Sequence, residues 1–175
     1  AAGYTTNQAM SLYGVAMGMT FPFLFLPSAL IGSLATALVP DISMALVQND
    51  SEHIEKRVQS SILFSLFVSF LIVPVFIAIS DKFGVFIYDN LLSGKLLQYS
   101  AWIMVPMGLN NISSAILNSI GLEVKSFINY LFGAIFMFLA VLILPCYIGI
   151  NALIIGMGMS TTVTTVLNLI MLKKR

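Results

Sequence analysis

Residues 126–172 read SFINYLFGAIFMFLAVLILPCYIGINALIIGMGMSTTVTTVLNLIML, a run of 47 residues without a charged side chain. A helix needs about 20 apolar residues to cross the hydrocarbon core of a bilayer, so this run is long enough for two crossings. Proline and glycine at 145–151 end one helix and turn the chain before the next. The run therefore predicts two membrane-spanning helices, at about 126–145 and 150–172.

The composition of the whole chain has the same character. Of its 175 residues 59% are hydrophobic and 9% are charged, against about 25% charged in a soluble domain. So few charges cannot cover the surface of a soluble domain, and the hydrophobic content excludes a disordered chain. The formal net charge of +1 excludes a basic nucleic-acid-binding surface. We therefore expect an integral membrane protein that contacts the lipid bilayer and no nucleic acid.

Three further stretches are apolar and almost free of charge, and they predict spans at about 16–47, 58–80 and 96–120. Lipid offers no hydrogen bonds to the backbone, so each span has to satisfy its own amides and carbonyls as a helix. The sequence thus predicts an all-α, polytopic membrane helix bundle of about five transmembrane helices. We expect residues 1–175 to form one transmembrane bundle.

Positive charges fall unevenly on the two sides that five spans define. One side carries Lys56, Arg57, Lys125, Lys173, Lys174 and Arg175, and the other carries Lys82 and Lys95. Lys and Arg accumulate on the cytoplasmic side, which predicts a cell-membrane protein with a cytoplasmic C-terminus and an external N-terminus. The sequence starts without methionine or a signal peptide, so we expect it to be part of a larger transporter.

The first span and a later helix end carry a specific pattern: AGY at 2–4, LYGVAMGMTFP at 12–22, PS at 27–28, ALVPDIS at 37–43 and ILNSIG at 116–121. These motifs resemble the multidrug/oligosaccharidyl-lipid/polysaccharide (MOP) exporter superfamily. Within it they are most similar to stage V sporulation protein B-like and related polysaccharide-biosynthesis membrane proteins. The resemblance implies a MATE-like lobe that pairs with an N-terminal lobe of the same protein.

The resemblance to lipid II flippases is more distant. Those proteins carry an Asp-Arg pair and a Glu at the start of this helix, where the present chain has Ala16, Met17 and Thr20. The resemblance therefore implies that this segment lacks the basic side chain that would bind a pyrophosphate. This favours the polysaccharide and sporulation branch of the superfamily.

Polar side chains share one face of the third span and one face of the last: Asn110, Asn111, Ser114 and Asn118, then Thr161, Thr165 and Asn168. Burying amides and hydroxyls in lipid without partners is costly, so we expect both faces to point inward. Two roles fit these residues. They line a water-filled cavity that binds sugar hydroxyls, or they form hydrogen bonds between helices.

Two prolines, Pro22 and Pro27, lie inside the first span. Each removes a helix hydrogen bond, and they predict either a hinge for alternating access or a static bend. Nearby, Asp41 and the polar stretch 49–57 are interpreted as solvated interface residues, with Asp50 or Ser51 capping a short helix.

No nucleotide-binding loop, nucleophile elbow or zinc-protease motif occurs, and Cys146 is the only cysteine. We expect no enzyme, no catalytic residue, no cofactor and no metal.

The resemblance implies a flippase for a lipid-linked oligosaccharide or peptidoglycan precursor, acting in polysaccharide export and cell wall or spore cortex biogenesis. A multidrug/cation antiporter of the same superfamily is the alternative, but it requires membrane-embedded carboxylates. A non-transporting membrane scaffold is the third hypothesis.

Overall fold

A computed structural model describes residues 5–173 of the chain, and its regular secondary structure in that range is helical. The predicted all-α bundle is thereby confirmed. Residues 2–4 of the motif pattern and the basic residues Lys174 and Arg175 lie outside the described residues.

The first long helix joins α1 (Thr6–Gly14), a π-helical segment (Val15–Thr20) and α2 (Phe21–Val47) without interruption. It is followed by α3 (Ser51–Tyr88), α4 (Leu91–Ser100), a 3-10 turn (Ala101–Ile103) and α5 (Met104–Ser119). The chain ends with α6 (Glu123–Ile143), the short α7 (Pro145–Ile148) and α8 (Asn151–Lys173).

Four helices of the described part are long and apolar enough to cross a membrane: Thr6–Val47, Ser51–Tyr88, Glu123–Ile143 and Asn151–Lys173. The predicted span at 96–120 is not among them, because the 3-10 turn divides it and α5 has only 16 residues. The fifth span therefore stays a prediction.

The path of the divided helix nevertheless runs from one end of the bundle to the other. Gly94 of α4 lies against Ser80 and Gly84 near the end of α3, so close that a Cβ on Gly94 would stand 2.5 Å from the Ser80 carbonyl oxygen. At its other end, the Ser43 hydroxyl of α2 donates to the carbonyl of Ser119, 3.1 Å away. The segment 91–119 thus connects the two ends of the bundle.

The α3 helix begins and ends beyond the predicted span at 58–80. Most of the polar stretch 49–57 is exposed, as expected, and the expected cap at Asp50 is confirmed, but the helix that it begins is not short and continues through the predicted span. Asp50 caps the helix by accepting from the His53 backbone N–H at 3.0 Å, and Lys56 Nζ lies 2.6 Å from Glu52 Oε1. A cap and an i,i+4 ion pair stabilise a helix in a polar sequence, so α3 starts at Ser51.

The break predicted at 145–151 is confirmed. Helix α6 ends at Ile143, Pro145 begins the single turn of α7, and α8 begins at Asn151. The reversal uses Gly149 at φ 57°, a left-handed conformation that glycine adopts without steric cost.

Helix α5 lies at the centre and contacts α2, α3, α6 and α8. Its apolar side packs Ile112 and Ile116 against Ile31, Leu38 and Ile42 of α2. This arrangement leaves the polar side of α5 facing α6 and α8.

Close approach of α3 to α5 depends on small residues. Ser61, Ser65 and Ser69 are buried on one face of α3. A Cβ on Gly108 of α5 would lie 2.8 Å from Ser65 Oγ and 2.7 Å from Ile31 Cδ1. Small side chains at helix interfaces permit such contacts.

Candidate polar site between α5, α6 and α8

The centre of the site is Asn168 of α8, whose side chain is fully buried. Its Nδ2 lies 3.0 Å from Ser114 Oγ, 3.3 Å from Ser113 Oγ and 3.5 Å from Asn110 Oδ1. Its Oδ1 accepts from Asn129 Nδ2 of α6 at 2.8 Å. We call these five residues the Asn168 network. It joins three helices by side-chain hydrogen bonds.

The Asn168 network offers more acceptors than Asn168 can use. An amide nitrogen has two hydrogens, whereas three oxygens of α5 lie within reach. The acceptors therefore compete, and Asn168 can change partner without leaving its position.

Helix α6 brings Asn129 into the site on its buried face, which also carries Ser126, Gly133 and Ala140. These positions recur at helical spacing. A Cβ on Gly133 would stand 2.7 Å from the carbonyl oxygen of Ser160, so the glycine allows α6 and α8 to meet. The rest of α6 presents large apolar side chains outward, as a lipid-facing helix does.

Thr165 adds a second link between α8 and α5. Its hydroxyl lies 2.9 Å from the Pro106 carbonyl oxygen and 2.7 Å from that of Thr161. The Thr161 hydroxyl instead faces carbonyls of its own helix, at Met157 and Gly158.

Besides Thr161 and Thr165, two more of the predicted residues lie outside the Asn168 network. Asn111 Nδ2 donates to the Ser28 carbonyl of α2 at 3.1 Å, because it lies about 100° around α5 from Asn110. Asn118 is exposed near the end of α5, and among the described residues its side chain has no hydrogen-bond partner.

The structure therefore brings Asn110, Ser114 and Asn168 together through hydrogen bonds between helices, the second of the two predicted roles. Their part in binding a substrate stays a prediction. Ser113 and Asn129 were missed by sequence reasoning. A lone asparagine in the apolar run of α6 was the available signal for Asn129, since an unpartnered amide in lipid is costly.

A groove of about 340 Å³, which no member of the Asn168 network lines, lies between the π segment with the start of α2 and the pair α6 and α8. Thr161 and Pro22 line it, together with Phe21, Tyr130 and Met157. Pro22 is exposed at the start of α2, and Pro27 is buried inside α2. The hinge role of both prolines stays a prediction.

Charged groups meet at the end of the α2–α3 hairpin. Arg57 Nε lies 2.7 Å from Asp41 Oδ2, and His53 Nε2 lies 3.2 Å from Asp41 Oδ1. Asp41 is 31% exposed at the end of the hairpin, which agrees with the interpretation as an interface residue, but its pairing with Arg57 and His53 was not foreseen. The pairing was missed because it requires α3 to begin before His53.

Long apolar helices around an internal polar network define a polytopic membrane protein. Residues 2–143 match the MatE family, and the chain belongs to that family. This confirms the predicted membership of the MOP superfamily.

One curated relative is stage V sporulation protein B of Bacillus subtilis (strain 168), which is 26% identical over 134 residues. The alignment covers 77% of this chain and 26% of that protein, so the chain spans about a quarter of the relative's length. No solved structure matches the chain.

Proposed function

We propose that the chain is part of a membrane transporter that moves a lipid-linked oligosaccharide, such as a peptidoglycan precursor, from the inner to the outer leaflet. The observation that carries this proposal is the match to the MatE family over residues 2–143. The likeness to stage V sporulation protein B supports a role in polysaccharide or spore-wall biogenesis.

The chemistry of the Asn168 network supports a sugar rather than an ion as cargo. Its members are amides and hydroxyls, which are neutral donors and acceptors suited to sugar hydroxyls. An antiporter needs a membrane-embedded carboxylate, whereas Asp41 lies partly exposed at the end of the α2–α3 hairpin and is paired with Arg57 and His53. The polar site therefore favours the flippase over the multidrug/cation antiporter.

A transport step follows from the competition around Asn168. Separation of α5 from α8 breaks the bonds of Asn168 to Asn110 and Ser114, and sugar hydroxyls replace them. The exchange conserves hydrogen bonds, so it avoids the cost of leaving buried groups unpaired. The lipid tail stays in the bilayer, and the N-terminal lobe forms the opposite wall of the cavity.

The test is lipid II sidedness in cells depleted of their own flippase and supplied with the complete protein that carries this chain. We expect restored lipid II in the outer leaflet. Absence of restoration, with the protein present in the membrane, would contradict lipid II as the cargo. Other polysaccharide precursors and drug-resistance profiles would then be measured.

Two variants separate transport from a scaffold role. Asn168→Leu removes the centre of the network, whereas Thr36→Val replaces an exposed hydroxyl of α2 that bonds to Ser33 of its own helix. At equal membrane abundance, we expect Asn168→Leu to abolish the restored sidedness and Thr36→Val to keep it. Full activity of Asn168→Leu would favour the scaffold.

A further inference from the structure

The helix Thr6–Val47 changes its hydrogen-bond register once, in the π segment. The Phe21 backbone N–H donates to the carbonyl of Ala16, five residues earlier, whereas an α-helix would pair it with the residue four earlier. Pro22 follows and has no N–H, and in an unbroken α-helix its ring would meet the carbonyl of Gly18. The wide turn thus lies directly before Pro22, where it relieves the clash between the proline ring and the Gly18 carbonyl.

Thr20, the last residue of the π segment, lies between two acceptors. Its side chain is 1% exposed, and its Oγ1 lies 3.3 Å from the Val15 carbonyl oxygen and 3.2 Å from that of Ser93 on α4. A hydroxyl has one hydrogen to donate, so these carbonyls compete for it. One choice keeps the bond inside the helix, and the other ties the helix to α4.

The helix is packed differently on the two sides of this turn. Within the described residues, α1 has no buried residue, and a Cβ on Gly14 or Gly18 would meet no atom within 4 Å. Beyond the turn, Phe21 and Leu24 pack against α4 and α5 in an apolar cluster. An exposed α1 is therefore joined to the anchored α2 through a π segment in which Val15 and Ala16 are buried against Leu96, Ile103 and Ile154.

We propose that the π segment is a switchable hinge, in which the Thr20 hydroxyl holds the wide register by donating to the Ser93 carbonyl. The other acceptor, the Val15 carbonyl five residues earlier, also belongs to the wide register, so removal of the hydroxyl lets the turn contract to the α register. In the α register this turn contains one residue fewer, so α1 rotates by about 100° around its axis relative to α2. Pro22 disfavours the α register at this turn, and the Thr20 hydroxyl determines the fraction of molecules that have the wide turn.

This hinge differs from the bend expected at Pro22 and Pro27, because its moving part is the turn before the prolines. The motion itself is independent of the cargo. Only its use as a gate for alternating access rests on the proposed function.

The test measures a distance across the hinge by pulsed electron spin resonance in the complete protein, reconstituted in lipid nanodiscs. Spin labels are placed at Gln8→Cys on α1 and Lys95→Cys on α4, both exposed positions, in a cysteine-free background. A label at the helix surface moves about 8 Å when the helix rotates by about 100°. We expect Thr20→Val and Pro22→Ala to populate the same second distance.

The controls are Thr20→Ser, which keeps the hydroxyl, and Thr36→Val, which removes an exposed hydroxyl that bonds only to Ser33 of its own helix. Both should keep the wild-type distribution. A wild-type distribution in either Thr20→Val or Pro22→Ala would overturn the hinge, and Pro22→Ala decides alone should Thr20→Val fail to fold. Since the readout is a distance, a failed lipid II assay leaves this result unaffected.

Discussion

At the scale of single residues, the bundle depends on buried polar groups that satisfy one another. Asn168 forms hydrogen bonds to α5 and α6 at once. Its replacement by an apolar residue leaves the buried Asn129 amide without this acceptor. One hydrogen bond of this kind contributes about 0.6–2 kcal/mol between membrane helices, and Asn168 forms more than one.

We expect Asn168→Leu to lower the stability of the complete protein by about 1–2 kcal/mol. The measurement is the midpoint of thermal unfolding in detergent. Asn118→Leu is the matched control, since the Asn118 amide is exposed, and it should unfold like the wild type. Equal midpoints for both variants would contradict the structural importance of the network.

A second residue-scale prediction concerns glycine. Gly94→Ala places a methyl group 2.5 Å from the backbone carbonyl oxygen of Ser80, and overpacking of this kind costs about 1–3 kcal/mol. Gly14→Ala meets open space among the described residues, and alanine favours a helix by up to about 1 kcal/mol over glycine. We expect the first variant to unfold earlier than the wild type and the second no earlier, by the same thermal measurement.

At the scale of elements, the α2–α3 hairpin is closed by the ion pair of Asp41 and Arg57. Both side chains are partly exposed, at 31% and 51%, so their attraction is screened and contributes less than about 1 kcal/mol. We expect Asp41→Arg to destabilise the hairpin and the double variant Asp41→Arg with Arg57→Asp to recover most of the loss. Thermal unfolding at low and high salt measures this, and a double variant no better than the single one would contradict the pairing.

Structural features that depend only on neighbouring residues could be predicted from the sequence, and those that depend on helix packing could not. The break at 145–151 was predictable because Pro145 and Gly149 act on their own backbone. The cap at Asp50 was predictable for the same reason, but the continuation of the capped helix into the span 58–80 as one helix of 38 residues was not. The partners of Asn168 were not predictable either, since they depend on how α5, α6 and α8 pack, and Asn129 carries no periodic signal of its own.

At the scale of the whole molecule, the orientation in the membrane depends on whether the segment 91–119 crosses it. In a cysteine-free background, we expect Phe86→Cys to react with an impermeant maleimide on intact cells and Lys125→Cys to react only after permeabilisation. Both residues are exposed. Labelling of both sites from outside would contradict the crossing, and the reverse pattern would contradict the predicted orientation.

The indole of Trp102 touches the backbone of α8 at Gly158, where a Cβ would collide with the ring. It is the one tryptophan of this chain, it is 46% exposed, and it sits in the 3-10 turn that divides α4 from α5. Any separation of that turn from α8 changes the surroundings of the ring and hence its fluorescence. The contact that brings these elements together therefore gives the chain an intrinsic optical signal, which records their rearrangement without an added dye.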